Sequence, residues 1–220
     1  MRCLKTKSIG KIMIWVLFIL LIKINSFPFW ISNTTGDGFV DGGDAESRTA
    51  SAIEDYIVDG AGYFLDSYDK VLVFMKKTEL MDKQSVSNEE LASLLDTALA
   101  QMQLANDTYV NLKMTADNTP YNTVVIDALK NFNYDAFKEK NGLNGDVFKV
   151  AAKYLSKGDI RGVYGKTLED TGKIIDLLNQ VKNKIDAGVV PPLNEVWKLN
   201  QAYSQSLLFG QYVTQVFYNL

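Results

Sequence analysis

The sequence predicts an all-α protein, an up-and-down antiparallel bundle of four long helices with one or two shorter ones. Apolar residues recur every three or four positions from about residue 47 onward, and no segment alternates as a strand does. Capping residues, prolines and glycines divide this region into segments joined by short loops. Amphipathic helices connected by short loops bury their apolar stripes by packing antiparallel. With 220 residues, 47% of them hydrophobic, the chain is long enough for one sizeable core.

The first two long helices have the clearest patterns. The first is predicted from Asp44 or Ser47 to Lys77, and the second begins at a capping box formed by Ser87 and Glu90. Both carry apolar residues at helical spacing, which predicts one buried stripe on each. The stripe residues are Ile53, Ile57, Phe64, Val71 and Met75 in the first helix, and Leu91, Leu95, Ala98, Met102, Ala105, Tyr109 and Leu112 in the second.

Further helices are predicted between similar start and stop signals. A capping residue or proline marks each start, and a glycine is a natural stop because it tolerates the left-handed conformation. The predicted helices run from Thr119-Pro120 to Gly142, from Asp146 to Ser156, from Thr167 to Gly188, and from Pro191-Pro192 nearly to Leu220.

The stretch GDIRGVYGKT, residues 158–167, ends like a phosphate-binding loop. A phosphate-binding loop requires glycine at the position where this chain has Ile160. Such a loop also follows a buried strand, whereas the residues before 158 are predicted to be helical. Glycines at 158, 162 and 165 would each cost a helix about 0.8–1.0 kcal/mol relative to alanine. We therefore predict that residues 157–166 form a glycine-rich connection, with Thr167 capping the next helix.

Three polar or aromatic side chains lie among these permissive glycines: Asp159, Arg161 and Tyr164. Binding residues concentrate on loops held by a rigid scaffold. The three residues are therefore the candidate ligand- or partner-binding site, although a plain connector is the favoured interpretation.

The N-terminal residues 1–26 are predicted to be an export segment. Four basic residues precede an unbroken apolar run over 12–22, which is shorter than the ~20 residues that cross a bilayer. Because the segment ends in a poor cleavage site, both a cleaved signal peptide and an uncleaved membrane anchor are open. Residues 27–46 are predicted to form a flexible tether rich in Gly and Asp, and residues 47–220 the helical domain.

Acidic residues of the tether offer an alternative interpretation, a weak calcium site at Asp37, Asp41 and Asp44. The spacing fits part of an EF-hand loop, but Phe39 stands at its third position and Arg48 at its twelfth, where carboxylates belong. A solvated linker is the favoured interpretation.

Composition excludes several classes of function. The chain has no histidine, and its one cysteine, Cys3, lies in the export segment, so structural zinc sites and Ser-His-Asp or Cys-His catalysis lack their residues. The carboxylates of Asp55, Asp59, Asp66 and Asp69 are predicted to face water. Removing residues 1–26 deletes five positive charges and no negative ones, which moves the net charge from −3 to −8 and argues against nucleic-acid binding. No cofactor is predicted.

The leading functional hypothesis is an exported, periplasmic or extracellular, non-catalytic interaction module that binds a protein partner or itself. Membrane contact is expected only through the N-terminal segment. The alternative is a carrier that holds an apolar or aromatic small molecule between helices near their tyrosine-rich ends. A third hypothesis is a hydrolase or lyase that uses only Asp, Glu, Lys and Tyr.

Overall fold

The computed structural model describes residues 43–80, 86–119, 121, 123–143 and 145–220. These residues form seven helices and no strand, which confirms the predicted all-α bundle. None of these helices combines the length and the apolarity needed to cross a membrane. The helices are α1 (Gly43–Leu80), α2 (Asn88–Asp117), α3 (Thr123–Asn131), α4 (Tyr134–Asn141), α5 (Asp146–Leu155), α6 (Ile160–Asp186) and α7 (Leu193–Tyr218).

Helices α1 and α2 form an antiparallel pair with a regular seam. Gly60 lies against Tyr109, and Ser67 lies against Ala98, so the sequence numbers run in opposite directions along the two helices. Every predicted stripe residue of α2 is buried. In α1, Ile57 and Met75 are only partly buried, and three buried residues were not predicted. Buried positions follow one another in steps of four and three, as in a coiled coil, except for one step of seven at the start of α1. In α1 they are Ile53, Gly60, Phe64, Ser67, Val71 and Phe74.

Helices α6 and α7 complete the four-helix bundle. Thr171 donates to Asn106 at 2.9 Å, and Lys182 pairs with Asp96 at 3.2 Å, so α6 runs antiparallel to α2. The turn formed by residues 187–192 then reverses the chain into α7. The order of the four long helices is therefore up, down, up, down.

A polar layer crosses the middle of the core and joins α7 to α1 and α2. Ser67 Oγ donates to the carbonyl of Ala98 at 2.6 Å, so the hydroxyl of Tyr203, 2.6 Å from the same Oγ, donates to Ser67. The Tyr203 ring stacks on Tyr68 with centroids 4.9 Å apart. Burial raises the pKa of Tyr203 above its ordinary value. A satisfied polar contact of this kind fixes the register of three helices.

The predicted third helix is wrong in two respects, because it begins at Thr123 and not after a cap at Thr119, and because it is two helices. The hydroxyl of Thr119 instead donates to the carbonyl of Thr115 in α2, at 2.7 Å. α3 ends at Asn131 and α4 begins at Tyr134, with Asn133 between them. The side chain of Asn133 accepts a hydrogen bond from the backbone N–H of Ala136 at 3.0 Å. Asparagine competes for backbone groups in this way, and it therefore ends one helix and caps the next. The predicted stop at Gly142 is confirmed, with φ of 63°.

Contacts between aromatic rings connect the short helices to the bundle. Phe132 contacts both Tyr134 and Phe137, with centroids 5.0 and 5.3 Å away. Phe137 stacks on Phe148 of α5 at 6.4 Å, and Phe148 meets Tyr212 of α7 edge-on at 5.1 Å. The short helices therefore share a core with α7.

The predicted connection over residues 157–166 is also wrong, because α6 begins at Ile160. Asp159, not Thr167, is the capping residue, and its carboxylate accepts from the N–H of Gly162 at 2.8 Å. The hydroxyl of Thr167 instead donates to the carbonyl of Val163 within the helix, at 3.1 Å.

Burial explains why a helix with so many glycines is stable here. Ile160, Val163 and Tyr164 of the first turns are buried, and each such side chain contributes about 1.5–3 kcal/mol. That exceeds the cost of about 0.8–1.0 kcal/mol for each glycine. Gly162 also has a packing reason, since a Cβ there would collide with Asp159 and with the ring of Tyr154.

Residues 43–46, assigned to the tether from the sequence, are the first turn of α1. The export segment and the rest of the predicted tether, including Asp37 and Asp41, lie outside the described residues.

Candidate functional site

A small cleft lies where α6 begins, at the end of the bundle that carries the short helices. It has a volume of about 230 Å³ and opens to solvent. Two of the three predicted site residues, Asp159 and Arg161, line it together, and Tyr164 does not. We call it the polar cleft; its lining residues are Tyr121, Ile126, Gly158, Asp159, Ile160 and Arg161.

Arg161 is held in place by contacts with α2 and its C-terminal extension. Its Nη2 donates to the carbonyl of Thr119 at 3.0 Å, and its Nε to the carbonyl of Ala116 at 3.4 Å. The guanidinium carbon lies 5.2 Å from the ring centroid of Tyr121, a cation–π arrangement. A cation is favourable at a helix C-terminus, where carbonyl dipoles converge. Among the described residues no carboxylate forms an ion pair with Arg161, so N–H groups of the fork remain available.

Asp159 places a negative charge in the same cleft. One carboxylate oxygen caps α6 through Gly162, and the structure records no ion pair between Asp159 and Arg161 or any other described cation. The cleft therefore contains two opposite charges that do not neutralise each other directly.

The hydroxyl of Tyr121 is buried and has no hydrogen-bond partner among the described residues. Burial raises the pKa of Tyr121 to about 12, although the positive charge of Arg161 acts in the opposite direction. The phenol is therefore protonated at neutral pH and retains an unused donor. An unpartnered buried hydroxyl is uncommon in a folded protein.

Gly158 shapes one wall of the polar cleft. Its φ of 67° is left-handed, and a Cβ there would lie 2.7 Å from Cγ2 of Ile126. Only glycine allows the backbone to turn here and to approach Ile126 so closely.

Tyr164 is not at the surface. It lies on α6 with 7% of its area exposed, and burial raises its pKa above the ordinary value. Sequence reasoning placed it on an open turn because the helix start was put too late. Tyr121 and Ile126 were missed as neighbours of Asp159 and Arg161, since no local pattern relates positions about forty residues apart.

A second candidate site lies at the other end of α6, where the turn into α7 exposes apolar side chains. Val189 and Val190 are 53% and 52% exposed, and Leu193 and Trp197 are 60% and 51% exposed. We call these four residues the α6–α7 turn surface. An open cleft of about 460 Å³ adjoins it, lined by Gln180, Asn183, Lys184, Ala187, Val189 and Glu195.

Metal binding gains no support within the described part of the chain. No group of three or more His, Cys, Asp or Glu side chains lies together there. Asp44, from the predicted calcium site, lies in the first turn of α1, and its two partners lie outside the described residues. The predicted exposure of the α1 carboxylates is confirmed for Asp55, Asp59, Asp66 and Asp69.

The carrier hypothesis predicts an internal cavity lined by aromatic residues. Both clefts described above open to solvent and lie at the ends of the bundle, and the larger has no aromatic lining. Halfway along the bundle, the space between α1, α2 and α7 is filled by Ser67 and Tyr203. Comparison with protein-family models, with curated proteins and with solved structures finds no match. The geometry of the two sites is therefore the basis for the functional proposals.

Proposed function

We propose that this protein is an exported, non-catalytic interaction module that binds a protein partner through the α6–α7 turn surface. The observation that supports this is the exposure of four large apolar side chains within nine consecutive residues. Single exposed apolar residues are ordinary, whereas a contiguous apolar surface is typical of an interaction site.

Helix geometry places two of the four side chains together. Leu193 and Trp197 are four positions apart on α7 and so lie on the same face of the helix. Val189 and Val190 precede them in the turn. Tryptophan is one of the residue types most often found to dominate binding energy, because it covers a large area with few rotatable bonds.

The charge pattern around this surface also favours a protein partner. From Gly188 to Leu220 the chain has only two charged residues, Glu195 and Lys198. Depletion of charge at the centre with a few polar groups around it is the composition of a protein interface. Lys184, which pairs with Glu195 at 2.5 Å, adds a charged group beside the surface.

The sequence supports export and a non-catalytic role. A basic segment followed by an apolar run is typical of an export signal. The absence of histidine and the location of the only cysteine in that segment leave the common nucleophile–base pairs without their residues.

The test is site-specific photo-crosslinking in the cells that produce the protein. We would place a photoreactive phenylalanine analogue at position 197 in the full chain, and at position 208 as the matched control. Leu208 is 44% exposed on the same helix and lies outside the surface. We expect a protein adduct of defined mass from position 197 and none from position 208.

A second comparison uses Leu193→Ser and Leu208→Ser in the background that carries the crosslinker at 197. The first substitution should abolish the adduct and the second should retain it. No adduct at 197, or equal adducts at 197 and 208, would contradict the proposal. An adduct of twice the chain mass would identify the partner as a second copy.

A further inference from the structure

We propose that the polar cleft is a binding site for a small zwitterion that carries one carboxylate and one ammonium group, a free α-amino acid being the simplest example. The structural basis is the juxtaposition, in one cleft of about 230 Å³, of Arg161, Asp159 and the ring of Tyr121, over which the guanidinium lies.

The carboxylate of the ligand is recognised on the Arg161 side. The guanidinium is already fixed by Thr119, Ala116 and the ring of Tyr121, so little side-chain freedom is lost on binding. Its remaining N–H groups can donate to a carboxylate as a planar fork.

The ammonium group is recognised on the Asp159 side. One oxygen of Asp159 accepts from Gly162, and a carboxylate has several acceptor sites, so it can accept a further bond from an ammonium group. The same charge disfavours a phosphate or a dicarboxylate, because the extra negative charge would meet Asp159 at short range. By the same reasoning Arg161 disfavours a simple amine.

The size of the polar cleft and its lining residues narrow the class of ligand further. Pockets for drug-sized molecules are typically ~300–1,000 Å³, so this cleft fits a smaller ligand. Ile126 and Ile160 give it an apolar wall, and Gly158 contributes no side chain to fill it. A small aliphatic amino acid matches these dimensions and this chemistry.

This site is separate from the interaction surface proposed above. The polar cleft lies at the N-terminus of α6, and the α6–α7 turn surface lies just beyond its C-terminus. Because α6 has 27 residues, the two sites are about 40 Å apart. Either proposal can therefore fail without the other.

The test is isothermal titration calorimetry on the full chain with L-alanine and L-leucine as probes. Propionate and ethylamine serve as analogues that carry only one of the two charges. We expect at least one amino acid to bind, and both single-charge analogues to bind at least about tenfold more weakly, since each loses a charge-assisted hydrogen bond.

Two variants test the residues directly. Arg161→Gln removes the cation, and Asp159→Asn removes the negative charge while keeping an N-cap of equal quality, so α6 should fold normally. Each should weaken binding by at least about tenfold. Asp127→Asn, an exposed acid on α3 outside the cleft, is the matched control and should bind as the parent does.

Several results would overturn the proposal. These are no heat from either amino acid at tens of millimolar, propionate or ethylamine binding as tightly as the amino acids, or unchanged binding in both Arg161→Gln and Asp159→Asn. Thermal unfolding of each variant checks that a loss of binding is not a loss of fold. If Arg161→Gln is destabilised, the binding measured for Asp159→Asn alone tests the proposal.

Discussion

At one end of the bundle three short helices lead from α2 to α6, whereas at the other end the turn 187–192 joins α6 directly to α7. The short helices bring Phe137 and Phe148 into the core beside Tyr212, and they leave a small cleft lined by charged and polar groups. The turn has no such cover among the described residues, and Leu193 and Trp197 are more than half exposed. Apolar residues at a helix end are therefore buried only where additional chain packs over them.

Replacement of an aromatic residue at each end should show the largest contrast. Phe148 is 4% exposed and touches two other rings, so Phe148→Ala should cost about 3–5 kcal/mol of unfolding free energy. Trp197→Ala should change it by no more than ~0.5 kcal/mol, as expected for a surface substitution. Urea unfolding of both variants measures the difference. A large loss in Trp197→Ala would mean that the turn surface is part of the core and not free for a partner.

The left-handed glycines at the two ends provide a smaller contrast. Gly158 and Gly188 have φ values of 67° and 71°, so alanine at either position should cost about 1–2 kcal/mol in backbone strain. At Gly158 the new Cβ would also crowd Ile126, which adds about 1–3 kcal/mol. At Gly188 the nearest atom is 4.0 Å away, so no crowding is added. Equal losses of stability in Gly158→Ala and Gly188→Ala would show that Ile126 does not pack there as the structure indicates.

At pH 7 the smallest effect should come from Tyr121, and this effect should grow at high pH. Tyr121→Phe removes an unpartnered hydroxyl, so at pH 7 its stability should equal or slightly exceed that of the parent. The pKa of Tyr121 is about 12 in the folded protein, above the ordinary value of 10.0. The protonated phenol therefore stabilises the fold below pH 10, and this contribution is lost as the pH rises towards 12.

The parent should accordingly lose melting temperature relative to Tyr121→Phe between pH 10 and pH 12. Tyr218→Phe, at a position 73% exposed, controls for the loss of a phenol. If the gap between parent and Tyr121→Phe stays constant over that range, the hydroxyl is not buried as described.

Local patterns in the sequence were a good guide wherever a helix follows its own periodicity. Helix α2 shows this best, because its cap at Ser87 and all its predicted buried residues are confirmed. In α1 the predicted stripe omitted Gly60 and Ser67, because a small or polar residue is not recognised as a core residue from its hydrophobicity. Ser67 is buried only because Ala98 and Tyr203 satisfy its hydroxyl.

Two of the wrong helix boundaries have different physical causes. At Asn133 a local hydrogen bond ends the predicted third helix, and asparagine could have indicated that break. At residues 160–166 the intrinsic cost of glycine predicted a connection, but burial of Ile160 and Val163 against the bundle outweighs it. Rules based on neighbouring residues do not include the free energy gained by that burial.

The sequence by itself determined the helical class, the order of the long helices, the cap of α2 and the exposed carboxylates of α1. These follow from periodicity and capping, which act over a few neighbouring residues. Asp159 and Arg161 were also selected from the sequence, through the glycines around them. Only the tertiary structure decided that they share a cleft with Tyr121, that Tyr164 is buried, and that Trp197 is exposed. Such relations depend on which helices pack together, because segments about forty residues apart meet only once the bundle has formed.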